Sequence, residues 1–265
     1  MRPLDPGRWL YGAINALVVL FLLLPIAIVA VFAVNPTPFI QFPPVGVSLR
    51  WFEKFFASRD FMQAIQLSLT VAAVVAVLAT TLGATAALAL ARGRLPGVRA
   101  LTAVFLSPLM LPAILTGLAL FQLYVLLDVG RPVWGLVVGH VLIAIPYVLR
   151  TTLAVLHNFD RGLEEAARNL GASPARTFVE VTLPLIRPGV LAGAIFAFIV
   201  SFDQFPVSLF LVAPGRETLP ITLFNYLKYD LDGTIAAASM VSILLSVAVV
   251  LVLDRTVGLR TYVRL

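Results

Sequence analysis

The sequence predicts an all-α integral membrane protein whose helices cross the bilayer six times. Three observations carry that expectation. Only 12% of the residues are charged and 60% are hydrophobic, where soluble domains carry roughly a quarter charged residues. The mean hydropathy is +1.01. The apolar residues also fall into six separate runs, each near the length of about 20 residues that a helix needs to cross a bilayer.

Those runs place spans at about 10–34, 63–91, 101–126, 133–153, 189–212 and 234–254, in a single transmembrane domain over 1–265. The first follows "MRPLDPGRW" and is too long for a signal-peptide core. It reads as a retained anchor despite the cleavage-like "VFA" at 31–33. The connection at 35–62 opens with "NPTPFIQFPP", held extended by its prolines. In "SLRWFEKFFASRDFM", Leu49, Phe52, Phe55 and Phe56 recur at helical spacing with Arg50, Glu53 and Lys54 between them. A short amphipathic helix is expected there, lying on the outer membrane surface or packed on the protein's own outer face. Pro25, Pro108, Pro112, Pro146 and Pro206 fall inside spans. They predict kinks, which a bundle tolerates where neighbours satisfy the freed backbone groups.

Basic residues orient the spans. Arg2, Arg8, Arg92, Arg94 and Arg99, five arginines at 150–187, and Arg255, Arg260 and Arg264 fall on one side, thirteen of the 19 in all. Arg50, Lys54, Arg59, Arg131, Arg216 and Lys228 fall on the other. The positive-inside rule then puts both termini, and the loop at 154–188, in the cytoplasm. The net charge of +6 reports this orientation rather than nucleic-acid binding, because the basic groups are scattered over short loops and form no single patch.

Enzyme chemistry finds little support. With no cysteine, disulfides, thiolate nucleophiles and cysteine-ligated metals are excluded. His140 and His157 are the only histidines; His140 reads as a packing or pore-lining residue and His157 as a loop residue, with no metal site. No G-x-x-x-x-G-K-[ST] phosphate loop occurs, so the chain is not itself an ATPase. "GASPAR" lacks the G-x-S-x-G pattern of a nucleophile elbow. Glu164 and Glu165 stand side by side on what reads as a solvated helix, and no catalytic residue is assigned.

The segment "EEAARNLGASPARTFVEVTLPLIRPG", 164–189, is a polar interruption between two apolar runs. Asp160 can cap a helix start, and Glu164 and Glu165 suit the positive end of that helix. Leu163, Ala166, Ala167 and Leu170 form an apolar stripe, and Glu164 can pair with Arg168 four residues on, along the exposed face. Gly171 suits the left-handed residue that ends a helix. Ser173 and Pro174 open a second helix, whose apolar face continues through Phe178 and Val181 until "LPLIRP" stops it. Two short helices joined by a glycine elbow are expected, with shallow relief at the paired alanines where a partner's side chains could press. A plain surface hairpin linking two spans fits the same residues.

"EAARNLGASPARTFVEVTLP" resembles the signature loop of permeases of ATP-driven (ABC) importers. Glu165, Ala166, Ala167, Gly171, Val181, Leu183 and Pro184 occupy the pattern E-A-A, three residues, G, nine residues, an aliphatic, one residue, L-P. "LSPLMLPAILTGLALFQLY" and "SFDQFPVSLFLVAPGRETLPITLFNYL" are similar to the smaller permease of the spermidine/putrescine-type branch, and the resemblance spans about 10–254. It implies the six-helix type I importer permease fold with cytoplasmic coupling helices, in a bacterial inner membrane. It further implies a second, homologous permease subunit, two ATPase subunits that bind ATP and magnesium, and an extracytoplasmic solute-binding protein. No cofactor is implied in this chain and no nucleic acid among its partners. The loop would dock on the ATPase through Glu165, Ala166, Ala167, Gly171, Leu183 and Pro184, with Glu164, Ala172 and Phe178 beside them.

A stand-alone secondary transporter or channel is the main rival. It should carry several ionisable residues within its spans to couple ions, and only Asp203 falls convincingly inside one. An intramembrane enzyme lacks a paired nucleophile and base. Asp203, with Gln204 beside it, is expected on the translocation pathway, roughly 21 Å along a helix from Gly189 at 1.5 Å per residue. An Asp satisfied by neighbouring backbone or by a partner's arginine fits as well. The branch handles polyamines and other small amine compounds; a polyamine-like solute is favoured, with selection resting largely on the binding protein.

Overall fold

Helices make up every regular element of the computed structural model, which describes residues 6–39, 41, 43–93 and 95–257. Arg2, Arg94, Arg260 and Arg264 of the basic count lie outside the described residues. Helix α1 is Pro6–Val34, α2 Arg50–Ala57 and α3 Arg59–Arg92. Next come α4 (Val98–Leu106), α5 (Ala113–Leu126) and α6 (Val133–His157). They are followed by α7 (Gly162–Asn169), α8 (Pro174–Thr177), α9 (Leu183–Phe202), α10 (Phe205–Leu211), α11 (Leu219–Tyr229) and α12 (Thr234–Val257).

Among the described residues five helices are long and apolar enough to cross a membrane, and a sixth crossing is reached if the bent pair Val98–Leu109 and Ala113–Leu126 counts as one span. That pair turns by 97° at its break. The sequence predicts a kinked single span there; the structure has a sharp corner, because Pro108 and Pro112 bracket it and remove two backbone donors. Pro25 and Pro146, by contrast, lie inside helices that continue through them. The span expected at 189–212 begins earlier and is interrupted. A π-helical turn, Phe178–Thr182, carries α8 directly into α9, and the chain breaks at Asp203 and Gln204 before α10. "LPLIRP" therefore does not stop a helix. Pro184 follows directly on that π-helical turn, where the regular α-helical hydrogen-bond ladder is already interrupted.

By contacts the chain forms two compact units, Met1–Phe61 with Leu223–Leu245, and Met62–Thr222 with Ser246–Leu265. In the second, α6 is the central element. One buried cluster gathers Val71, Val75 and Ala79 of α3, Leu136 and Val148 of α6, Ala197 of α9 and Val207 of α10. Close approach sets the α6–α9 contact: a Cβ at Gly193 would stand 2.7 Å from the Val148 Cα, so only glycine lets the two backbones meet. Helix α11 is absent from the sequence reading. It is too short and too polar at its end to register as a span, and its first N–H, at Leu219, donates to the Ser68 hydroxyl of α3 at 2.8 Å.

In the first unit, α2 packs on the protein. Its buried face is Trp51 and Phe55, four residues apart, while Leu49 and Phe56 are exposed. This corrects the register read from the sequence, which left out Trp51. The indole fixes it: Trp51 Nε1 donates to the Asn35 carbonyl at 2.7 Å, and the ring packs with Ala33 and Ala237. On the same helix Lys54 Nζ donates to Asp232 Oδ2 at 2.6 Å and to the Tyr226 hydroxyl at 2.9 Å. The bonds to Asp232 and then Tyr226 raise the lysine's pKa above its ordinary value. Burial pushes the Asp232 carboxyl up, but the hydrogen bonds from Lys54 and Thr234 outweigh it and hold the group below the usual carboxylate range.

Candidate coupling hairpin and broken span

The 158–182 segment holds the two helices and glycine elbow its residues predict, but the second helix, α8, runs on into α9 instead of ending. Asp160 Oδ1 accepts the Gly162 N–H at 2.8 Å at the entrance to α7. Gly171 ends that helix at φ +90°, and the Gly171 and Ala172 N–H groups donate back to the Arg168 and Ala167 carbonyls at 2.9 and 3.0 Å. This is the left-handed stop that glycine permits. The Ser173 side chain then caps α8 by accepting the Arg176 N–H at 3.3 Å, with Pro174 at the first turn.

Among the described residues, one side of the hairpin is left uncovered. Leu163 is half exposed, Leu170 is 89% exposed, and Phe178 and Leu183 are exposed. Glu165, Ala166, Gly171 and Pro184 are exposed with them, and Ala167 and Ala172 are half-buried. Leu163, Ala166, Ala167 and Leu170, at helical spacing on α7, thus form a stripe of small relief between two exposed leucines.

Glu164 departs from this pattern. The sequence reading pairs it with Arg168 on the exposed face, but it is only 6% exposed and Arg168 stands 3.8 Å away. Its main partner is Arg92 at the end of α3, whose Nη1 donates to Glu164 Oε1 at 2.6 Å, while the Thr182 hydroxyl donates to the same oxygen. The Arg92 guanidinium also lies 4.9 Å from the centre of the Phe159 ring, and Arg161 Nη2 donates to the Ala91 carbonyl at 2.7 Å. These contacts fasten the hairpin to the end of α3. Arg92, Arg161 and Thr182 are the residues that local spacing misses, since Arg92 and Glu164 lie 72 positions apart.

At the other end of α9, Asp203 closes the helix, its N–H donating to the Ile199 carbonyl at 3.1 Å. The side chain of Asp203 is exposed on the single chain, whereas Gln204 is buried. The continuous helical stretch that Asp203 closes begins at Pro174 rather than at the Gly189 start read from the sequence. His140 lies buried on α6 beside this break, and His157 is exposed in the last turn of the same helix. Among the described residues no three His, Asp or Glu side chains are grouped to hold a metal ion.

Residues 2–259 match the family model of the binding-protein-dependent transport system inner membrane component. The chain belongs to this family. It is the permease subunit of a binding-protein-dependent ABC importer, with the type I permease fold, and a stand-alone transporter is set aside. The permease is 33% identical over 205 residues to the spermidine/putrescine transport system permease protein PotC of Haemophilus influenzae, covering 77% of this chain and 80% of that one. It is 33% identical over 227 residues to the putrescine transport system permease protein PotI of Escherichia coli, covering 82% and 79%. In fold the permease is similar to a chain of a bacterial ABC transporter involved in import of the acidic polysaccharide alginate, with TM-score 0.70 and 17% identity over 96% of this chain and 99% of that one.

Proposed function

We propose that this permease forms one half of the import pathway for a polyamine-like cation and is driven through the loop at 160–187, which holds the hairpin, by ATPase partners. In this reading residues 1–265 act as one permease domain in a bacterial inner membrane, with both termini and the hairpin in the cytoplasm. A second, homologous permease completes the channel. Two ATPase subunits bind the ATP and magnesium, this chain holding no cofactor, and an extracytoplasmic binding protein delivers the solute. The hairpin surface carries the proposal. Small residues at Ala166, Ala167 and Ala172, with exposed Leu163, Leu170 and Phe178 near them, leave apolar surface that none of the described residues covers. The substrate class rests on the polyamine permeases it is similar to and on the carboxylate of Asp203 at the break in α9.

The work is alternating access. ATP closes the partner subunits, the hairpin follows, and the spans reopen outward. The loaded binding protein contributes only through its greater affinity for the outward-facing form.

Gly171→Leu tests the coupling. No atom lies within 4 Å of a Cβ built at Gly171, so the leucine meets open space and the substitution acts through left-handed backbone strain of about 1–2 kcal/mol. Uptake of labelled putrescine or spermidine by cells carrying the whole transporter should fall, and less ATPase subunit should co-purify, while the variant still inserts in the membrane. Normal uptake and normal ATPase recovery would show that the elbow plays no part in docking.

A further inference from the structure

His140 is 1% exposed and lies on neither the hairpin nor the exposed edge of the break. Both ring nitrogens are engaged. Nδ1 is 2.9 Å from the Ser201 hydroxyl and Nε2 is 2.9 Å from the Ser208 hydroxyl. Ser201 belongs to the last turn of α9 and Ser208 to α10, so one imidazole on α6 holds the two sides of the break. A neutral ring suits this: one nitrogen donates to a serine oxygen and the other accepts the second serine's hydroxyl hydrogen. Ser201 and Ser208 are themselves buried, which leaves the ring as their partner in place of water.

The spacing ties this contact to the break. In an unbroken helix, residues seven apart lie about 10.5 Å from each other along the axis. Two hydrogen bonds and the width of an imidazole reach only about 8 Å between hydroxyl oxygens. The interruption between the two serines brings them within the span of one ring more readily than an unbroken helix would. The surroundings oppose slippage. A Cβ at Gly139, next to His140, would come within 2.7 Å of Leu211 and 2.9 Å of Val207, so α10 lies hard against α6 at this level.

We infer that His140 is a positioning residue that sets the geometry of the α9–α10 break, and through it the placement of Asp203 and Gln204. It touches no solute itself. The inference concerns the break alone, and its test does not depend on which solute is carried.

Because the chain has no cysteine, Gln204→Cys supplies a single thiol at a position only 8% exposed. Its rate of modification by a small, charged methanethiosulfonate reagent, in membranes holding the whole transporter, reports the break directly. Adding His140→Leu leaves two buried serines without a partner, a loss expected to speed labelling about 10-fold or more. Adding His140→Gln, whose amide can donate to one serine and accept from the other, should keep the rate within about 3-fold of the parent. The combination His140→Leu, Ser201→Ala and Ser208→Ala removes every unsatisfied group while still lacking the bridge, and labelling should stay fast. It also covers the case in which His140→Leu alone fails to insert. Slow labelling in that combination, or a His140→Leu rate equal to the parent's, would overturn the inference, since packing alone would then set the break.

Discussion

Arg92→Ala is expected to abolish most uptake while the spans still insert. Its guanidinium is the close partner of Glu164, and its removal leaves that nearly buried carboxylate with Arg168 at 3.8 Å as its remaining cation, a loss smaller than the about 3–5 kcal/mol of a fully buried pair left with an uncompensated charge. That cost falls on the attachment between α3 and the hairpin. The hairpin should become sensitive to limited proteolysis near Gly171, and recovery of the ATPase with the purified complex should drop. Glu164→Gln keeps the shape and still accepts from Thr182, so an intermediate loss is expected. The pair should also be non-additive: Arg92→Ala combined with Glu164→Ala should be less damaging than the two single losses summed, as for residues in direct contact. Full additivity, or a wild-type proteolytic pattern in Arg92→Ala, would remove Glu164 and Arg92 from the coupling path.

The second large effect is at Asp203. Asp203→Asn preserves size and the helix end while removing the charge, so it isolates the carboxylate. Hydrogen bonds to charged groups contribute about 1.5–3 kcal/mol, and their loss should lower uptake of a labelled polyamine by about 10-fold or more. Docking of the binding protein and recovery of the complex should not change. Asp203→Glu, which restores charge with a longer reach, should recover part of the rate. Equal uptake by the Asn variant and the parent would make Asp203 a helix-ending residue only, and the cation would lose its support within this chain.

Much of this architecture was legible because membrane burial writes it in long runs. The spans at α1, α3, α6 and α12 needed only length and apolarity. The hairpin was legible for a different reason: Ser173, Pro174 and Gly171 each favour one backbone geometry, and each does so locally. The start of α9 escapes the sequence pattern because a π-helical turn ahead of Pro184 lets the helix run through a proline that reads locally as a stop. The break after Phe202 had a local sign in the polar pair Asp203 and Gln204 followed by Pro206. Its fastening did not. His140 reaches Ser201 and Ser208 across 61 and 68 positions, and Glu164 reaches Arg92 across 72. In each case helical spacing offers a nearer answer, an exposed pair with Arg168 or a plain core histidine. Buried polar contacts between distant helices leave no periodic trace, so only the packed structure shows them.

Cross-linking tests most directly whether the hairpin is where the ATPase subunit engages this permease. The absence of native cysteine lets one residue report on it. Leu170→Cys places a thiol at a site 89% exposed on the unpartnered face of the hairpin, and Leu231→Cys places one at a site equally free of this chain's core, 76% exposed. Cross-linking each with a short thiol-to-amine reagent in membranes holding the whole transporter should join Leu170→Cys to the ATPase subunit, in a yield that changes when ATP and magnesium are added. Leu231→Cys should give no such product. An ATPase adduct formed at position 231 and not at 170 would contradict the account.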